Sequence, residues 1–160
     1  MTHHDKESLV KIGTLGAAIV ALVIAVFSAA VPAAGQMDAS APRVRLELQP
    51  AQQETLKTTM REHLAALEAI VSALGRQDYA KAAAVAHTEL GFPKHHEAMQ
   101  REQSMALPKH YQELAMAHHQ AAEELATAIA ARDMAPILQQ LDRTIRACNA
   151  CHDAYQMSGP

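Results

Sequence analysis

Aromatic residues and cysteines are scarce in this chain. Of its 160 residues 3% are aromatic, none is tryptophan, and only two are cysteines. The hydrophobic fraction of 49% therefore rests on alanine, leucine, methionine, isoleucine and valine, which favours helices over sheets. Two thiols are too few for a cysteine-rich zinc site. The formal net charge of -3 offers no broad basic surface, so we expect no nucleic-acid partner.

An uncharged apolar segment lies near the N-terminus, at residues 12–31, and two lysines precede it. Small residues follow it, which is typical of the processing site of a signal peptide. A run of about 20 apolar residues is also long enough to span a bilayer. We predict that residues 1–35 are either a cleaved signal peptide or a membrane anchor. Both alternatives export the rest of the chain.

The remaining sequence divides into a linker and one helical domain. Residues 36–50 contain Pro42 and Pro50 among scattered polar residues, and we predict a linker there. Residues 51–160 are predicted to form a single domain. Its composition and its spacing of apolar residues are those of helices throughout, and no strand pattern competes.

Four segments of this domain have the 3.6-residue periodicity of amphipathic helices. Asp78 and Asp133 are the expected N-caps of the second and fourth helices, and the third follows Pro108. We predict an all-α fold, an antiparallel up-down-up-down four-helix bundle, preceded by the N-terminal signal or anchor helix. Residues 94–107 are predicted to be a loop with at most a helical turn. The expected buried stripes of the first and fourth helices are Leu56, Met60, Leu64, Leu67, Ile70, Val71 and Leu74, and Leu138, Leu141, Ile145, Cys148, His152 and Tyr155.

Near the C-terminus the sequence Cys148-Asn149-Ala150-Cys151-His152 has the C-x-x-C-H pattern of c-type haem attachment. Two thiols at this spacing can add across the two vinyl groups of one haem, and the histidine that follows can bind the iron. We predict one covalent haem c, with Cys148 and Cys151 as thioether positions and His152 as the proximal ligand. A thioredoxin-like redox pair or a structural disulfide is the alternative, but the βαβ setting of a redox pair is not visible.

These residues resemble the cytochrome c′ family of class II c-type cytochromes. The resemblance covers about residues 56–155, and its most specific mark is the C-x-x-C-H motif with Tyr155 three residues further on. Residues 60–64 and 118–122 look similar, although less specifically. The resemblance implies haem attachment in the periplasm and a four-helix bundle, and homodimers are common in the family.

The same resemblance offers two functional types. Low-spin members place a methionine of the first helix on the iron and carry electrons, whereas five-coordinate members bind NO or CO. We expect Met60 to be the distal ligand, with His63 as a second candidate and an apolar residue such as Leu56 in the five-coordinate alternative. The expected function is one-electron transfer to periplasmic or membrane redox proteins, without enzymatic activity.

Ten histidines are many for a chain of this length. Imidazole binds zinc, copper and nickel well, so a second alternative is a metal-binding or sensory module built on His95, His96 and their neighbours Glu97, His87 and His119. A solvated polar surface explains these residues more simply, because a metal site needs three or four converging ligands. His118 lies on the stripe of the third helix and is expected to be a core or haem-pocket histidine.

Overall fold

The computed structural model describes residues 42–157, and most of them are helical. The prediction of an all-α protein is confirmed. The predicted signal or anchor, residues 1–35, lies outside the described residues. Among residues 42–157, no helix combines the length and apolar character needed to cross a membrane. The elements are β1 (Val44–Leu46), α1 (Pro50–Gly75), α2 (Tyr79–Val85), a π-helical turn that continues α2 (Ala86–Leu90), α3 (Phe92–Glu102), α4 (Lys109–Ala130), α5 (Met134–Ala154) and β2 (Tyr155–Met157).

The turns before α2 and α5 are built alike. Asp78 accepts a hydrogen bond from the backbone N–H of Lys81 at 3.1 Å, and Asp133 accepts one from Ala135 at 3.2 Å. Both aspartates are therefore the N-caps that the sequence predicts. The residue before each cap has a left-handed backbone, with φ of 59° at Gln77 and 58° at Arg132. This conformation lets a short connection reverse the chain between two long helices.

Helices α4 and α5 are antiparallel neighbours. The side chains of Gln140 and Thr144 on α5 both donate hydrogen bonds of 3.2 Å to the carbonyl oxygen of Ala121 on α4. Further along α5, the Cys148 sulfur lies 3.3 Å from Nδ1 of His118, so rising numbers on one helix meet falling numbers on the other. The core beside this pair includes Ile129 and Ile137, which are fully buried.

The helix α3 is a feature that the sequence pattern did not predict, since residues 94–107 were expected to be a loop. The backbone N–H of Phe92 donates to Glu123 of α4 at 2.7 Å and so anchors the start of α3. Its buried positions are Lys94, His95 and Ala98, which carry almost no apolar signal. The helix is held by ion pairs and imidazole contacts, and hydrophobic periodicity does not detect those.

Part of the predicted linker is packed onto the helices. β1 pairs in parallel with β2, with Val44 opposite Tyr155 and Leu46 opposite Met157. Leu46 and its neighbour Leu48 are buried, in one apolar cluster with Tyr155. Residues 44–48 are therefore part of the folded domain, because their leucines find an apolar surface there. Cys151 also packs against this cluster, so β1 lies beside the end of α5 that carries the C-x-x-C-H motif.

The buried faces of α1 and α5 are rotated from the predicted stripes. On α5 the buried residues are Ile137, Gln140 and Thr144, whereas Leu138 is 55% exposed. Polar residues take the buried positions because each of them has a hydrogen-bond partner across the helix interface. On α1, His63 is likewise buried where the pattern placed Leu64.

Candidate functional site

A cavity of about 650 Å³ lies between α1, α3, α4 and α5. Cys148, Cys151 and His152 line it from α5, and Met60 lines it from α1. The structure thus brings together the four residues that the sequence predicts for a haem site. A volume of this size falls within the range of about 300–1,000 Å³ that is usual for small-molecule and cofactor sites.

Both cysteines of the motif are free thiols and half-buried. Burial raises the pKa of Cys151 to about 11, with smaller contributions from Cys148 and Glu102, and burial also raises the pKa of Cys148. The two groups are therefore protonated at neutral pH.

His152 lies in the last turn of α5 and is exposed. The expectation that it points into the core is wrong, because the α5 stripe is rotated and position 152 falls at the helix end. It nevertheless lines the cavity. A second cavity of about 360 Å³ adjoins the first, and Met60, Tyr111, Cys151 and His152 line both. Met60 of α1 and His152 of α5 therefore border the same two cavities.

The other two candidates for the sixth iron ligand lie on either side of Met60. Leu56, one turn before it on α1, is buried and lines the smaller cavity. His63, almost one turn after it, is buried and lines the larger cavity. The three candidates thus lie on one face of α1, and Met60 is the one of the three that lines both cavities.

Three buried histidines converge in the wall of the larger cavity. The ligand atoms of His63, His118 and His119 all lie within 4.8 Å of one another. The ring centroid of His63 is 5.0 Å from that of His118 and 5.5 Å from that of His119. The metal-binding alternative from the sequence was built on His95, His96 and neighbours that included His119, but it did not include His63. His95 is close, with its ring 4.8 Å from His119, but His96 is exposed.

These imidazoles are neutral at physiological pH. Burial lowers the pKa of His63 to about 4 and that of His118 to about 3, and the neighbouring histidines add to both effects. Burial also lowers the pKa of His119. Neutral imidazole is the form that binds metal ions, since each ring then keeps one nitrogen lone pair.

A charged network lies beside the histidines on α1 and α3. The ammonium nitrogen of the buried Lys94 is 2.7 Å from Glu62 and 3.0 Å from Glu97. Arg101 pairs with the same two carboxylates. Burial alone would lower the pKa of Lys94, but its hydrogen bonds to Glu62 and Glu97 outweigh burial and raise that pKa. The network fixes α3 to α1 across the cavity.

The sequence indicates two members of the histidine cluster one by one, but the pattern of a single helix does not show that they converge. His118 is on the predicted stripe of the third helix, and His63 belongs to the segment of the first helix that resembles the cytochrome c′ family. Their meeting depends on how far the two helices are shifted along their axes relative to each other, which periodicity does not give.

Comparisons of the chain with protein-family models, with curated proteins and with solved structures found no match.

Proposed function

We propose that this chain is an exported c-type cytochrome that carries one haem c and transfers single electrons. The observation that carries the proposal is the convergence of Cys148, Cys151, His152 and Met60 on one cavity of about 650 Å³. The donor set fits haem c, since it combines two free thiols at the attachment spacing, an imidazole next to them in sequence and a thioether from another helix. The all-α fold agrees with the bundle expected from the resemblance to the cytochrome c′ family.

When bound, the haem supplies an iron that alternates between the ferric and ferrous states. Cys148 and Cys151 would hold it covalently, and His152 and Met60 would bind the iron. A methionine ligand raises the reduction potential of haem iron. Apolar side chains such as Leu67 and Leu114 line the cavity and exclude water from it. No substrate group is needed, so the protein is an electron carrier and not an enzyme.

The proposed location is the periplasm, where c-type haem is attached. Residues 1–35 then act as a signal peptide, which leaves a soluble protein, or as an anchor in the inner membrane. Redox proteins of the periplasm or membrane are the proposed partners, and His152 is exposed at the end of α5 that they would approach. A homodimer is the expected assembly from the family resemblance.

The test is an absorption spectrum of the purified holo-protein, oxidised, reduced, and reduced under CO. We expect a low-spin spectrum that CO leaves unchanged. Met60→Ala should become high-spin and bind CO, whereas Met134→Ala, an exposed methionine at the start of α5, should behave as the wild type. Mass spectrometry should show one covalent haem, and its absence from wild-type protein made with the attachment machinery would refute the proposal.

The smaller cavity favours a second candidate, a five-coordinate protein that binds NO or CO. This cavity of about 360 Å³ lies next to Met60, and the apolar side chains of Leu46 and Leu56 line it. A small diatomic ligand would have room there. A high-spin wild-type spectrum that shifts under CO would support this candidate and remove Met60 as an iron ligand.

A further inference from the structure

We propose that His63, His118 and His119 bind a divalent transition-metal ion of the zinc type, separate from the haem iron. The proposal goes beyond electron transfer and does not depend on haem attachment. It rests on three features of these side chains: their convergence, the orientation of their nitrogens, and two buried nitrogens that have no partner.

The convergence is close enough for one ion. All three ligand atoms lie within 4.8 Å of one another. In a tetrahedral zinc site with Zn–N distances of about 2.0–2.1 Å, neighbouring nitrogens are about 3.4 Å apart. Small rotations of the rings on α1 and α4 would close this difference. The three side chains come from two helices, so the backbone fixes their relative positions.

The hydrogen-bond partner of His119 determines which of its ring nitrogens carries the lone pair. Its Nδ1 is 2.6 Å from the carbonyl oxygen of Leu90, so Nδ1 carries the hydrogen and donates it. The lone pair is then on Nε2. A backbone carbonyl that accepts from the second ring nitrogen is the usual outer-shell partner of a metal-bound histidine, because it fixes the tautomer and the ring orientation.

His118 is oriented in the same way. The thiol of Cys148 donates to the carbonyl oxygen of Thr144 at 3.3 Å, and its sulfur lies 3.3 Å from Nδ1 of His118. The sulfur therefore accepts from Nδ1–H, which again leaves the lone pair on Nε2. A thioether sulfur at position 148 can still accept this hydrogen bond weakly.

Two of the nitrogens have no partner within the described part of the chain. Nε2 of His63 and Nε2 of His118 are buried without a hydrogen bond, and these side chains are only 8% and 6% exposed. Buried polar atoms in native proteins are nearly always satisfied, so each such atom needs an explanation. An ion bound between them would satisfy both at once.

The ligand set indicates the kind of ion. Three neutral imidazoles suit zinc, copper and nickel, whereas calcium and magnesium prefer oxygen ligands. Three protein nitrogens also leave a fourth position for water or another small ligand, as in zinc sites with an open position. Cys148 precedes His152 by one turn of α5, so the cluster that it contacts lies about one turn from the haem ligand.

The test uses the full-length protein with its haem, freed of metal by a chelator and titrated calorimetrically with Zn²⁺. We expect one equivalent to bind with a Kd of about 1 μM or tighter. His63→Gln and His118→Gln should each weaken binding by about 100-fold or more, since a lost ligand costs at least as much as a lost outer-shell partner. His96→Gln removes an exposed histidine and is the matched control, with unchanged affinity.

A second measurement needs no variant. Zinc-edge X-ray absorption of the wild-type complex should show three or more nitrogen neighbours at about 2.0–2.1 Å. Binding weaker than about 100 μM, or binding that His96→Gln abolishes while His118→Gln keeps it, would overturn the proposal. Haem content and zinc content are measured separately, so failure of one site leaves the other testable.

Discussion

At the scale of single residues, several buried positions hold polar side chains that have hydrogen-bond or ion-pair partners. The hydrophobic pattern of the sequence does not predict that these residues are buried. Thr144 is completely buried, yet its hydroxyl lies within hydrogen-bonding distance of two backbone carbonyl oxygens, those of Ala121 and Gln140. Lys94 is buried between two carboxylates. Such residues fix the positions of neighbouring helices along their axes, because a polar group that moves away from its partner is left without a hydrogen bond.

The pairing of Lys94 supports a prediction about Glu62. Glu62→Gln should lower the free energy of unfolding by about 1–2 kcal/mol at pH 7. The effect is smaller than that of breaking a fully buried pair, since Glu97 still neutralises Lys94 and Glu62 is partly exposed. Glu54→Gln, which removes an exposed pair with Lys57 on the same helix, should have almost no effect. Urea unfolding measures both.

The same variant has a defined pH dependence. Hydrogen bonds from Lys94 and Arg101 hold the pKa of Glu62 below its usual value of 4.5. The unfolded chain therefore binds a proton at Glu62 before the folded chain does, and stability falls as the pH drops. The difference between wild type and Glu62→Gln should be complete above about pH 5.5 and should close as the pH falls from 4.5 through the lowered pKa. A difference that persists at pH 3 would show that the carboxylate charge is not its cause.

At the scale of elements, the junction between α2 and α3 requires a glycine. A Cβ atom at Gly91 would overlap the carbonyl oxygen of His87 and the carboxylate of Glu123. Gly91→Ala should therefore cost about 1–3 kcal/mol of unfolding free energy, as overpacking usually does. Thermal or urea unfolding followed by circular dichroism measures this cost.

Gly75, the last residue of α1, is the matched control. Within the described part of the chain no atom lies within 4 Å of a Cβ built there. Gly75→Ala should stabilise the protein by about 0.5 kcal/mol, because alanine has less conformational freedom than glycine in the unfolded chain. Equal destabilisation by both substitutions would contradict the close contact at Gly91.

The helices themselves were largely predictable from the sequence. The N-caps Asp78 and Asp133 are where side-chain chemistry placed them, because a cap depends on residues three positions away at most. The faces of α1 and α5 and the existence of α3 were not predictable in this way. Their buried residues, such as Lys94 and Gln140, are stabilised by partners 16 to 32 positions away, as in the contacts of Lys94 with Glu62 and of Gln140 with Glu124.

At the scale of the whole molecule, the strand β1 packs beside the end of α5 that holds the C-x-x-C-H motif. Leu46 is 4% exposed and packs with Leu56, Tyr111 and Tyr155. Leu46→Ala should lower the free energy of unfolding by about 2–4 kcal/mol, as truncation of a buried leucine does. Val44 lies in the same strand but is 55% exposed, and Val44→Ala should change stability by less than about 0.5 kcal/mol. Equal effects in urea unfolding would show that β1 does not pack as described.

The candidate site shows the same limit of sequence reasoning on a larger scale. Cys148, Cys151 and His152 could be predicted as haem positions because the motif consists of five consecutive residues, and this assignment stays a prediction. The cavity and the histidine cluster are assembled from α1, α3, α4 and α5, so they depend on helix heights and rotations that a local pattern does not contain. Met60 is an intermediate case, since the family resemblance suggested it and the structure places it in the lining of the same cavity as His152.

The π-helical turn at Ala86–Leu90 makes the cluster sensitive to chain length. The turn accommodates an extra residue, and Leu90 at its end directs its carbonyl oxygen to His119. Deletion of one residue between Asp78 and Gly91 would rotate Leu90 by about 100° around the helix axis and withdraw this oxygen. Substitutions that keep the length of this segment therefore preserve the orientation of His119. Deletion of a single residue removes the hydrogen bond that sets this orientation, even when every histidine is retained.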